Sequence, residues 1–286
     1  MKARLLFVHA LSPLHAGTGQ GVGVIDLPVA REKATGLPYL PGSSLKGVLR
    51  DACEDREKRV RIFGPDTDSA HEHAGSVQIS DQRLLLLPVR SLKGTFAWVT
   101  SPYILRRFLR DVESVKVSGV PSDVPVPTTV GFCFVSFEGC AIEENNRVIL
   151  EDLDLTAEVN ISAREWAEWI GKQVFPDEKT WQEMLIARFC IVHDDVMGFL
   201  LDTTTEIFAR VRLREDAKTV KKGGLWYEEA LPTETILTGL AVATPVKAEP
   251  EEVFETLKGL IEKPLQLGGK ATVGRGLCRL RMTGGD

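Results

Sequence analysis

The stretch that decides how this chain folds and what it binds is Leu11–Arg50, LSPLHAGTGQGVGVIDLPVAREKATGLPYLPGSSLKGVLR. It contains a glycine-rich loop, the carboxylate of Asp26 in an apolar frame, and a helix start framed by prolines. A second glycine loop, LGGKATVGRG, spans Leu267–Gly276 near the other end. Loops of this kind expose backbone N–H groups that can bind phosphate. We therefore predict that both segments hold one phosphate-bearing ligand, which makes the chain a candidate nucleic-acid binder and Asp26 a candidate nuclease residue.

The segment PGSSLKGVLR predicts a helix that begins near Leu45 and runs to about Arg59. Unpaired N–H groups and the helix dipole make such a start attractive to phosphate. Either serine can be the N-cap, and the two cations are four residues apart and so share one helix face. The candidate phosphate ligands are Ser43, Ser44, Lys46 and Arg50. A capped helix with two solvated cations is an equal alternative.

Neither glycine loop matches a nucleotide-cofactor motif. Residues 17–23 lack the last glycine of G-x-G-x-x-G, and no Gly-Lys-Ser/Thr opens a helix in Leu267–Gly276. The second loop can instead bring its backbone close to a phosphodiester, with Lys270 and Arg275 beside it. A tight turn before the last strand is the alternative.

Asp26 and a few other side chains are candidates for catalysis. A carboxylate in the VIDLP frame can bind a divalent metal ion or position the attacking group in phosphodiester cleavage. His15 is the nearest acid–base partner in the sequence, and a turn histidine bonded to backbone is an equal alternative. Tyr227, Glu228 and Glu229, in LWYEEALP, can complete a site with Asp26 only if the fold brings them near.

A second candidate metal site is the HxH pair His71 and His73, in a loop that also carries Asp66, Asp68 and Glu72. Imidazole and carboxylate groups at this spacing can ligate a metal ion. An exposed polar loop is the favoured interpretation.

Composition limits the class of protein. The chain has 286 residues, a net charge of −5 and five scattered cysteines without a CxxC pair. Buried free thiols in a reducing cytoplasm are therefore expected, not a disulfide framework or structural zinc. No apolar run approaches the roughly 20 residues that span a bilayer, so we expect no membrane partner.

Charge is segregated along the chain. Gln82–Arg110 has six basic and no acidic residues, Lys263–Arg281 has five basic and no acidic ones, and Ile142–Glu158 has six acidic residues. This pattern predicts a local positive surface that suits an RNA or DNA track. Chance clustering of solvated charges is the alternative.

Hydrophobic periodicity predicts an α+β fold with a split βαβ, ferredoxin-like core. A strand over Ala3–Ala10 opens the chain, two strands with their break at Pro88 fill Ser76–Val99, and Thr205–Pro232 forms a long hairpin with a basic tip. Further helices are predicted over Pro102–Arg110, Ser162–Val174, Lys179–Ala187 and Glu249–Ile261, and further strands over Thr235–Thr244 and Gly276–Met282.

Taken together, four segments resemble the RAMP superfamily of CRISPR proteins, and within it the backbone subunits of type III-B (Cmr) effector complexes. They occur in the family's order over nearly the whole chain: LSPLHAGTGQGVGVIDLPVAREKATGLPYLPGSSLKGVLRDA, GSVQISDQRLLLLPVRSLKGTFAWVTSP, LREDAKTVKKGGLWYEEALP and LQLGGKATVGRG. The resemblance implies an RRM-like palm (about 1–111 and 233–286), a fingers-like insertion (about 112–204) and a β-hairpin thumb (about 205–232).

The resemblance also implies a function. Such a subunit binds guide crRNA, stacks with further copies of itself into a filament, assembles with other Cmr subunits and cleaves guide-paired, single-stranded target RNA. Cleavage would be by attack of the target's own 2′-OH and would need a divalent metal ion, expected to be Mg²⁺, with Asp26 as its ligand. The implied catalytic residues are Asp26, His15, Tyr227 and Glu228, with the choice among Tyr227, Glu228 and Glu229 open. The implied RNA contacts are Ser43, Ser44, Lys46, Arg50, Gly268, Gly269, Lys270, Gly274 and Arg275.

Two other functions stay open. The chain can be a structural backbone subunit that binds guide RNA without cutting, or a repeat-RNA-processing endonuclease that acts through a histidine without metal. The GSSLKG block and the thumb-like hairpin argue against the second of these.

Overall fold

The computed structural model describes residues 1–284 apart from 18, 20–23, 67, 69–70, 72, 116, 215 and 217–218. Its central element is β1 (Lys2–Ala10), whose last six residues are all buried. A strand this deeply buried lies inside a sheet, with other strands along both edges and other elements over both faces. β1 pairs antiparallel with β12 (Ile236–Ala243) on one side and with β14 (Leu277–Thr283) on the other. The first and last strands are therefore adjacent, and this brings the two ends of the chain together.

A large mixed sheet surrounds this trio. Its other strands are β2 (Tyr39–Leu40), β3 (Val77–Ile79), β4 (Gln82–Arg90), β5 (Phe96–Thr100), β6 (Phe132–Val135), β7 (Arg147–Leu150), β8 (Leu153–Val159), β9 (Phe189–Val192) and β13 (Leu265–Gln266). The strand order is β13-β14-β1-β12-β4-β5-β9-β6-β8-β7, with β2 on β4 and β3 on β12. The pairs β5–β9 and β6–β8 are parallel. The sheet thus continues from the terminal strands into residues 132–192.

Helices cover both faces of the sheet. They are α1 (Gly42–Ala52), α2 (Arg56–Phe63), α3 (Pro102–Val115), α4 (Ile161–Val174), α5 (Lys179–Arg188), α6 (Asp194–Thr203) and α7 (Pro250–Leu260). The Phe7 ring lies 6.1 Å from Phe108 of α3 and 6.4 Å from Trp169 of α4, whereas Arg4 lies over Phe254 of α7. Positions 4 and 7 point to opposite faces of β1, so α3 and α4 cover one face and α7 the other. In the described residues, none of these helices is both long and apolar enough to cross a bilayer.

A separate two-stranded hairpin consists of β10 (Glu206–Leu213) and β11 (Val220–Ala230). It confirms the hairpin predicted over Thr205–Pro232. Most residues of β10 are exposed or half-buried, whereas the last three residues of β11 are buried. The hairpin is therefore anchored at its base. The prediction of buried free thiols is also confirmed, because each of the five cysteines is buried and unpaired.

The helix predicted from Leu45 to Arg59 is wrong in extent. The chain forms two helices, because α1 ends at Ala52 and the Asp55 side chain caps α2 by accepting hydrogen bonds from the N–H groups of residues 57 and 58. The α1 N-cap is Pro41 and not a serine, so both candidate serines lie inside the first turn.

The strand break predicted at Pro88 is also wrong. Pro88 lies within β4, and the segment forms three strands and not two, with breaks at residues 80–81 and 91–95. Strand β12 pairs with β4 only as far as Leu86. One edge of β4 is therefore unpaired by β12 at Pro88, which is where a residue without an N–H is tolerated.

Candidate active site and nucleic-acid interface

Asp26 lies beside the base of the hairpin. Leu27 N donates to Tyr227 O at 3.1 Å, and Glu229 N donates to Leu27 O at 3.0 Å, so this segment runs along β11. The exposed Asp26 carboxylate accepts a hydrogen bond from Tyr227 N at 2.8 Å across 201 positions of sequence. The Tyr227 side chain is itself 38% exposed. The fold therefore brings Asp26 to the 227–229 cluster, as a joint site requires.

His15 joins the same place from another segment. Its side chain is buried, and Nδ1 lies 2.6 Å from Glu229 O. A carbonyl oxygen only accepts, so Nδ1 carries a proton and Nε2 is the acceptor of the neutral ring. A Cβ on Gly17 would lie 2.5 Å from Nε2, so only a glycine fits at position 17 against that ring edge. The predicted backbone bond of His15 is present, and it orients the ring.

Glu229 connects these groups. Its buried carboxylate binds Arg31 through Oε1 at 2.6 Å and accepts Val29 N through Oε2 at 2.9 Å. Its backbone carbonyl receives the His15 ring, and its backbone N–H binds Leu27. All four polar groups of one residue therefore hold the segments on either side of Asp26.

Glu228 is buried and bound by cations. Its oxygens lie 2.7 Å from Lys270 Nζ, 3.3 Å from Arg210 Nε and 3.8 Å from Arg275 Nη1, and Trp226 Nε1 donates to it at 2.8 Å. Burial raises the pKa of this carboxyl, but hydrogen bonds from Lys270, Trp226 and Arg210 outweigh burial and lower the pKa to about 2. This environment suits a carboxylate that holds the C-terminal loop on the hairpin better than one that exchanges protons near neutrality.

Arg275 is occupied within the chain. Its guanidinium stacks on the Phe208 ring at 3.6 Å from the centroid, and the residue is 5% exposed. Cation–π stacking of this kind stabilises a desolvated arginine. The RNA contact predicted for Arg275 would need this stack to open, whereas Lys270 keeps about a third of its side chain exposed.

The glycines of the C-terminal loop have distinct surroundings. A Cβ on Gly268, where φ is +69°, would press on the His15 carbonyl oxygen, which also accepts Gly269 N at 3.0 Å. Gly274 has φ +80° and open space around it. Gly268, Gly269 and Gly274 are all exposed to solvent. The loop therefore docks on His15 at its start and presents backbone to solvent on its other side.

The helix-start cations are also used internally. Lys46 Nζ donates to Val77 O at 3.0 Å, and burial, with Arg50 nearby, lowers its pKa. Arg50 binds the Gly64 carbonyl and Asp66, the latter at 2.5 Å. The alternative of two solvated cations is therefore wrong, and a phosphate at this helix would have to compete with these contacts.

The first turn of α1 is itself partly satisfied. Gly42 N donates to Asp81 Oδ1 at 2.8 Å, which places a carboxylate at the helix start. Ser43 is exposed and Ser44 half-buried. Helix α1 packs against β3 and α7, whereas Asp26 and His15 belong to the hairpin base. The phosphate cradle stays a prediction, with Ser43 its most accessible group.

Comparison with known proteins identifies the family. A family model described as the RAMP superfamily matches residues 7–279. The chain belongs to the RAMP superfamily. It is 38% identical to the CRISPR system Cmr endoribonuclease Cmr4 of Pyrococcus furiosus over 290 residues, covering 99% of this chain and 96% of that protein. It is 23% identical to the CRISPR system CMR subunit Cmr4 of Saccharolobus solfataricus, covering 96% and 94%.

Solved structures agree with this RAMP assignment. The crystal structure of oligomeric Cmr4 from Pyrococcus furiosus superposes with a TM-score of 0.78 at 32% identity, covering 100% of this chain and 99% of that one. A type III-B Cmr-beta complex bound to cognate target RNA contains a chain with a TM-score of 0.76 at 21% identity, covering 99% and 97%. The second match shows a shared fold. The mixed α and β architecture of the RAMP chain is therefore confirmed.

The HxH pair of this RAMP chain is not a metal site in the part that the structure describes. His71 is exposed, Asp66 is bound to Arg50, and His73 Nδ1 donates to the Ala74 carbonyl at 3.0 Å. Glu72 lies outside the described residues. Over the described ranges, no group of three or more His, Cys, Asp or Glu side chains could hold a metal ion. The exposed polar loop is the better interpretation.

Most cations in the two basic runs are paired with acids from elsewhere. In the first run, Arg83 lies 3.6 Å from Asp111, Arg90 lies 3.4 Å from Glu151 and Arg107 lies 2.5 Å from Glu32. In the second, Arg279 lies 2.9 Å from Glu178, and both loop cations face Glu228. Among the described residues, these ion pairs therefore neutralise part of the positive charge of both runs. Exposed cations occur instead on α3, at Arg106 and Arg110, and toward the hairpin tip, at Arg212, Lys221 and Lys222.

Sequence reasoning missed Arg31, Phe208 and Arg210. The last two had a signal, since positions 208 and 210 alternate with the aliphatic positions of β10 and so share one face of the strand. Opposite them on β11, residue 228 pairs with 208 and residue 226 with 210. Arg31 had no such signal in the sequence, because its partner Glu229 is 198 positions away.

Proposed function

We propose that this chain is the guide-crRNA-binding backbone subunit of a type III-B CRISPR effector complex and cleaves guide-paired target RNA as an endoribonuclease. The relative with 38% identity over nearly the whole of both chains is named a Cmr endoribonuclease. The observation that carries the proposal is the exposed Asp26 carboxylate, held by Tyr227 N on the hairpin base that also orients His15.

The finer architecture is part of the proposal. The order β14-β1-β12-β4 and the contact between α1 and α7 support a ferredoxin-like, RRM-like palm over about 1–111 and 233–286. The hairpin over about 205–232 would be the thumb. Residues of about 112–204 would be the fingers-like insertion, although they continue the central sheet.

The proposed partners are guide crRNA, single-stranded target RNA, further copies of this chain and other Cmr subunits. Self-association is supported by the likeness to a crystal structure described as oligomeric Cmr4. The sequence pairing of guide and target would select the RNA, while the protein binds backbone and shape. The buried free thiols fit the cytoplasmic location that we predict.

The proposed reaction is attack of a target nucleotide's own 2′-OH on the adjacent phosphate. The bond from phosphorus to the 5′ oxygen of the next nucleotide breaks, that oxygen leaves as a hydroxyl with a proton from solvent water, and a cyclic phosphate end remains. His15, with its Nδ1 proton held by Glu229 O, has Nε2 as the ring atom that can accept the 2′-OH proton. The chain's remaining task is to hold the strand in line.

A divalent metal ion, expected to be Mg²⁺, is part of the proposal. Mg²⁺ is usually bound by one or two carboxylates together with waters and substrate phosphates. The exposed Asp26 carboxylate fits this mode as a single protein ligand, while Glu228 and Glu229 are buried in ion pairs. When bound, the ion would stabilise charge on the phosphate.

The test is cleavage of target RNA by the complex assembled with Asp26→Ala. We expect guide RNA to bind as in the wild type and target cleavage to be abolished. The matched control is Asp202→Ala, which removes an exposed carboxylate of α6. Undiminished cutting by the Asp26 variant would overturn the catalytic assignment, and a wild-type complex that binds but never cuts would make the chain a structural subunit.

Chelation separates the remaining alternative. With EDTA we expect cutting by the wild-type complex to stop and to return when Mg²⁺ or Mn²⁺ is added. Cleavage of precursor guide RNA that survives EDTA would instead favour a histidine-based processing enzyme.

A further inference from the structure

We propose that Arg31 is a positioning residue for cleavage, acting through Glu229 to hold the Asp26 segment and His15 in one arrangement. This inference rests on the proposed endoribonuclease function. Arg31 does not lie in any motif that points to catalysis, and its part follows from three contacts of its guanidinium.

The guanidinium of Arg31 binds three separate parts of the chain. Nη2 lies 2.6 Å from Glu229 Oε1 and 3.0 Å from the Leu201 carbonyl at the end of α6, and Nη1 lies 3.0 Å from the Gly36 carbonyl. The planar fork of an arginine suits this divergent set of acceptors, whereas lysine supplies a single point of charge. Arg31 thus fixes the orientation of the Glu229 carboxylate.

Glu229 passes this orientation to Asp26. The carboxylate oxygen that does not face Arg31 accepts Val29 N at 2.9 Å. Two further bonds, Leu27 N to Tyr227 O and Glu229 N to Leu27 O, tie the same segment to β11. Residues on both sides of position 28 are therefore held, and the backbone of residue 26 enters the site at a set place. Without the bond to the carboxylate, Val29 N would lose its acceptor, and the C-terminal side of this segment would be held only by bonds such as Ala30 N to Ala16 O at 2.7 Å.

The same residue holds His15. The Glu229 carbonyl oxygen lies 2.6 Å from His15 Nδ1, and it is separated from the carboxylate only by the Glu229 side chain. The pair Arg31–Glu229 is part-buried, with side-chain exposures of 24% and 3%. Charge-assisted bonds in such a place are strong and directional. One ion pair therefore sets both candidate reacting groups, which come from segments otherwise separated by the glycine loop.

The experiment compares Arg31→Gln and Arg31→Lys in the assembled complex by single-turnover cleavage of target RNA. We expect Arg31→Gln to cut about 100-fold more slowly, since a misplacement of about 1 Å can cost that much. Arg31→Lys keeps the charge beside Glu229 but loses the fork that also binds the carbonyls of residues 36 and 201, so it should recover only part of the rate. Cleavage by Arg31→Lys at the wild-type rate would show that the three contacts do not set the geometry, and would overturn the proposal.

A double variant tests whether the effect passes through Glu229. Groups that act as one unit are not additive. In a Glu229→Gln background, Arg31→Gln should therefore slow cleavage little further. Additive losses, or cleavage by Arg31→Gln at the wild-type rate while Asp26→Ala is inactive, would overturn the proposal.

The matched control is Arg107→Gln. Arg107 forms a part-buried ion pair with Glu32 at 2.5 Å on the neighbouring turn, without contacting Glu229. Arg107→Gln should lower the unfolding temperature to the same degree as Arg31→Gln but leave cleavage unchanged. If Arg107→Gln lost as much cleavage as Arg31→Gln, the effect of Arg31→Gln would be explained by general stability and the positioning role would be wrong.

Amide hydrogen exchange of the full chain gives a readout that does not depend on activity. Arg31→Gln should speed exchange at Val29 and Leu27, and Arg107→Gln should not. If the wild-type complex failed to cut RNA, the proposed function would be wrong, but this measurement would still test whether Arg31 and Glu229 hold the Asp26 segment. Unchanged exchange at both amides would end the positioning role.

Discussion

The base and the free end of the hairpin are made from the same two strands, but the charged side chains of the base are buried and paired, whereas those of the free end are exposed. At the base, Glu228 and Glu229 are buried, and each is bound by cations from distant segments. Toward the free end, Arg212, Lys221 and Lys222 are exposed to solvent. The base therefore uses its charges to fix position, whereas the end keeps its charges available to a ligand.

This difference separates two contributions to RNA recognition. Exposed cations attract any phosphate backbone, and their contribution falls as salt rises. Buried ion pairs are screened much less by salt and act through geometry. We therefore expect changes at the base to affect stability and cleavage, and changes at the free end to affect affinity.

The largest effect on stability is expected for Glu228→Gln. Removing one partner of a buried ion pair costs about 3–5 kcal/mol, because the facing cations lose their counter-charge. The pKa of Glu228 in the folded chain is about 2, against an ordinary 4.5. Its stabilisation is thus fully present above pH 4.5 and is lost as pH falls toward 2. Urea unfolding of the wild type and of Glu228→Gln should therefore show a smaller difference in the free energy of unfolding at pH 3 than at pH 7.

The control for this comparison is Glu255→Gln, which changes an exposed glutamate of α7. It should leave the free energy of unfolding within about 0.5 kcal/mol of wild type. A Glu228 variant as stable as this control would mean that the base is held by packing and not by its charges.

An intermediate effect is expected where the C-terminal loop docks on the base. Gly268→Ala and Gly274→Ala both place a Cβ at positive φ, which costs about 1–2 kcal/mol. At Gly268 the added atom also presses on the His15 carbonyl oxygen, a further cost of about 1–3 kcal/mol, whereas at Gly274 it meets open space. Unfolding free energies and target cleavage should both fall further for Gly268→Ala. Equal losses would contradict the docked geometry.

The smallest effect on stability is expected at the free end. Arg212→Gln with Lys222→Gln should leave unfolding unchanged and weaken RNA binding. The slope of log affinity against log salt should fall by about 0.7 for each single-strand phosphate that the variant no longer binds. Binding titrations at several salt concentrations measure this, with Lys258→Gln of α7 as the exposed control. A slope that does not move would show that the end does not touch the RNA backbone.

Much of the fold could be predicted because its signals are local. The first strand, the hairpin, the helix that begins at Pro102 and the helices that follow the caps Asn160 and Glu249 can be predicted from apolar runs, periodicity and turn residues within a few positions. The break between α1 and α2 was missed although Asp55 is a good cap, because residues 54–59 are all charged and so have no apolar periodicity that could mark the end of one helix and the start of the next. The strand break was wrongly predicted at Pro88, because a proline is tolerated within a strand where no neighbouring strand pairs with it on that side. Whether a strand is paired there depends on the tertiary structure and not on the local sequence.

The candidate site divides in the same way. The sequence by itself determined which residue types are present, their order along the chain and the superfamily, including Asp26, His15 and the cluster at 227–229. Only the tertiary structure decided that these residues meet, that Glu228 and Arg275 are buried, and that Arg31 reaches Glu229. The reason is physical, because burial and ion pairing depend on neighbours in space, and separation along a chain does not fix distance between its side chains.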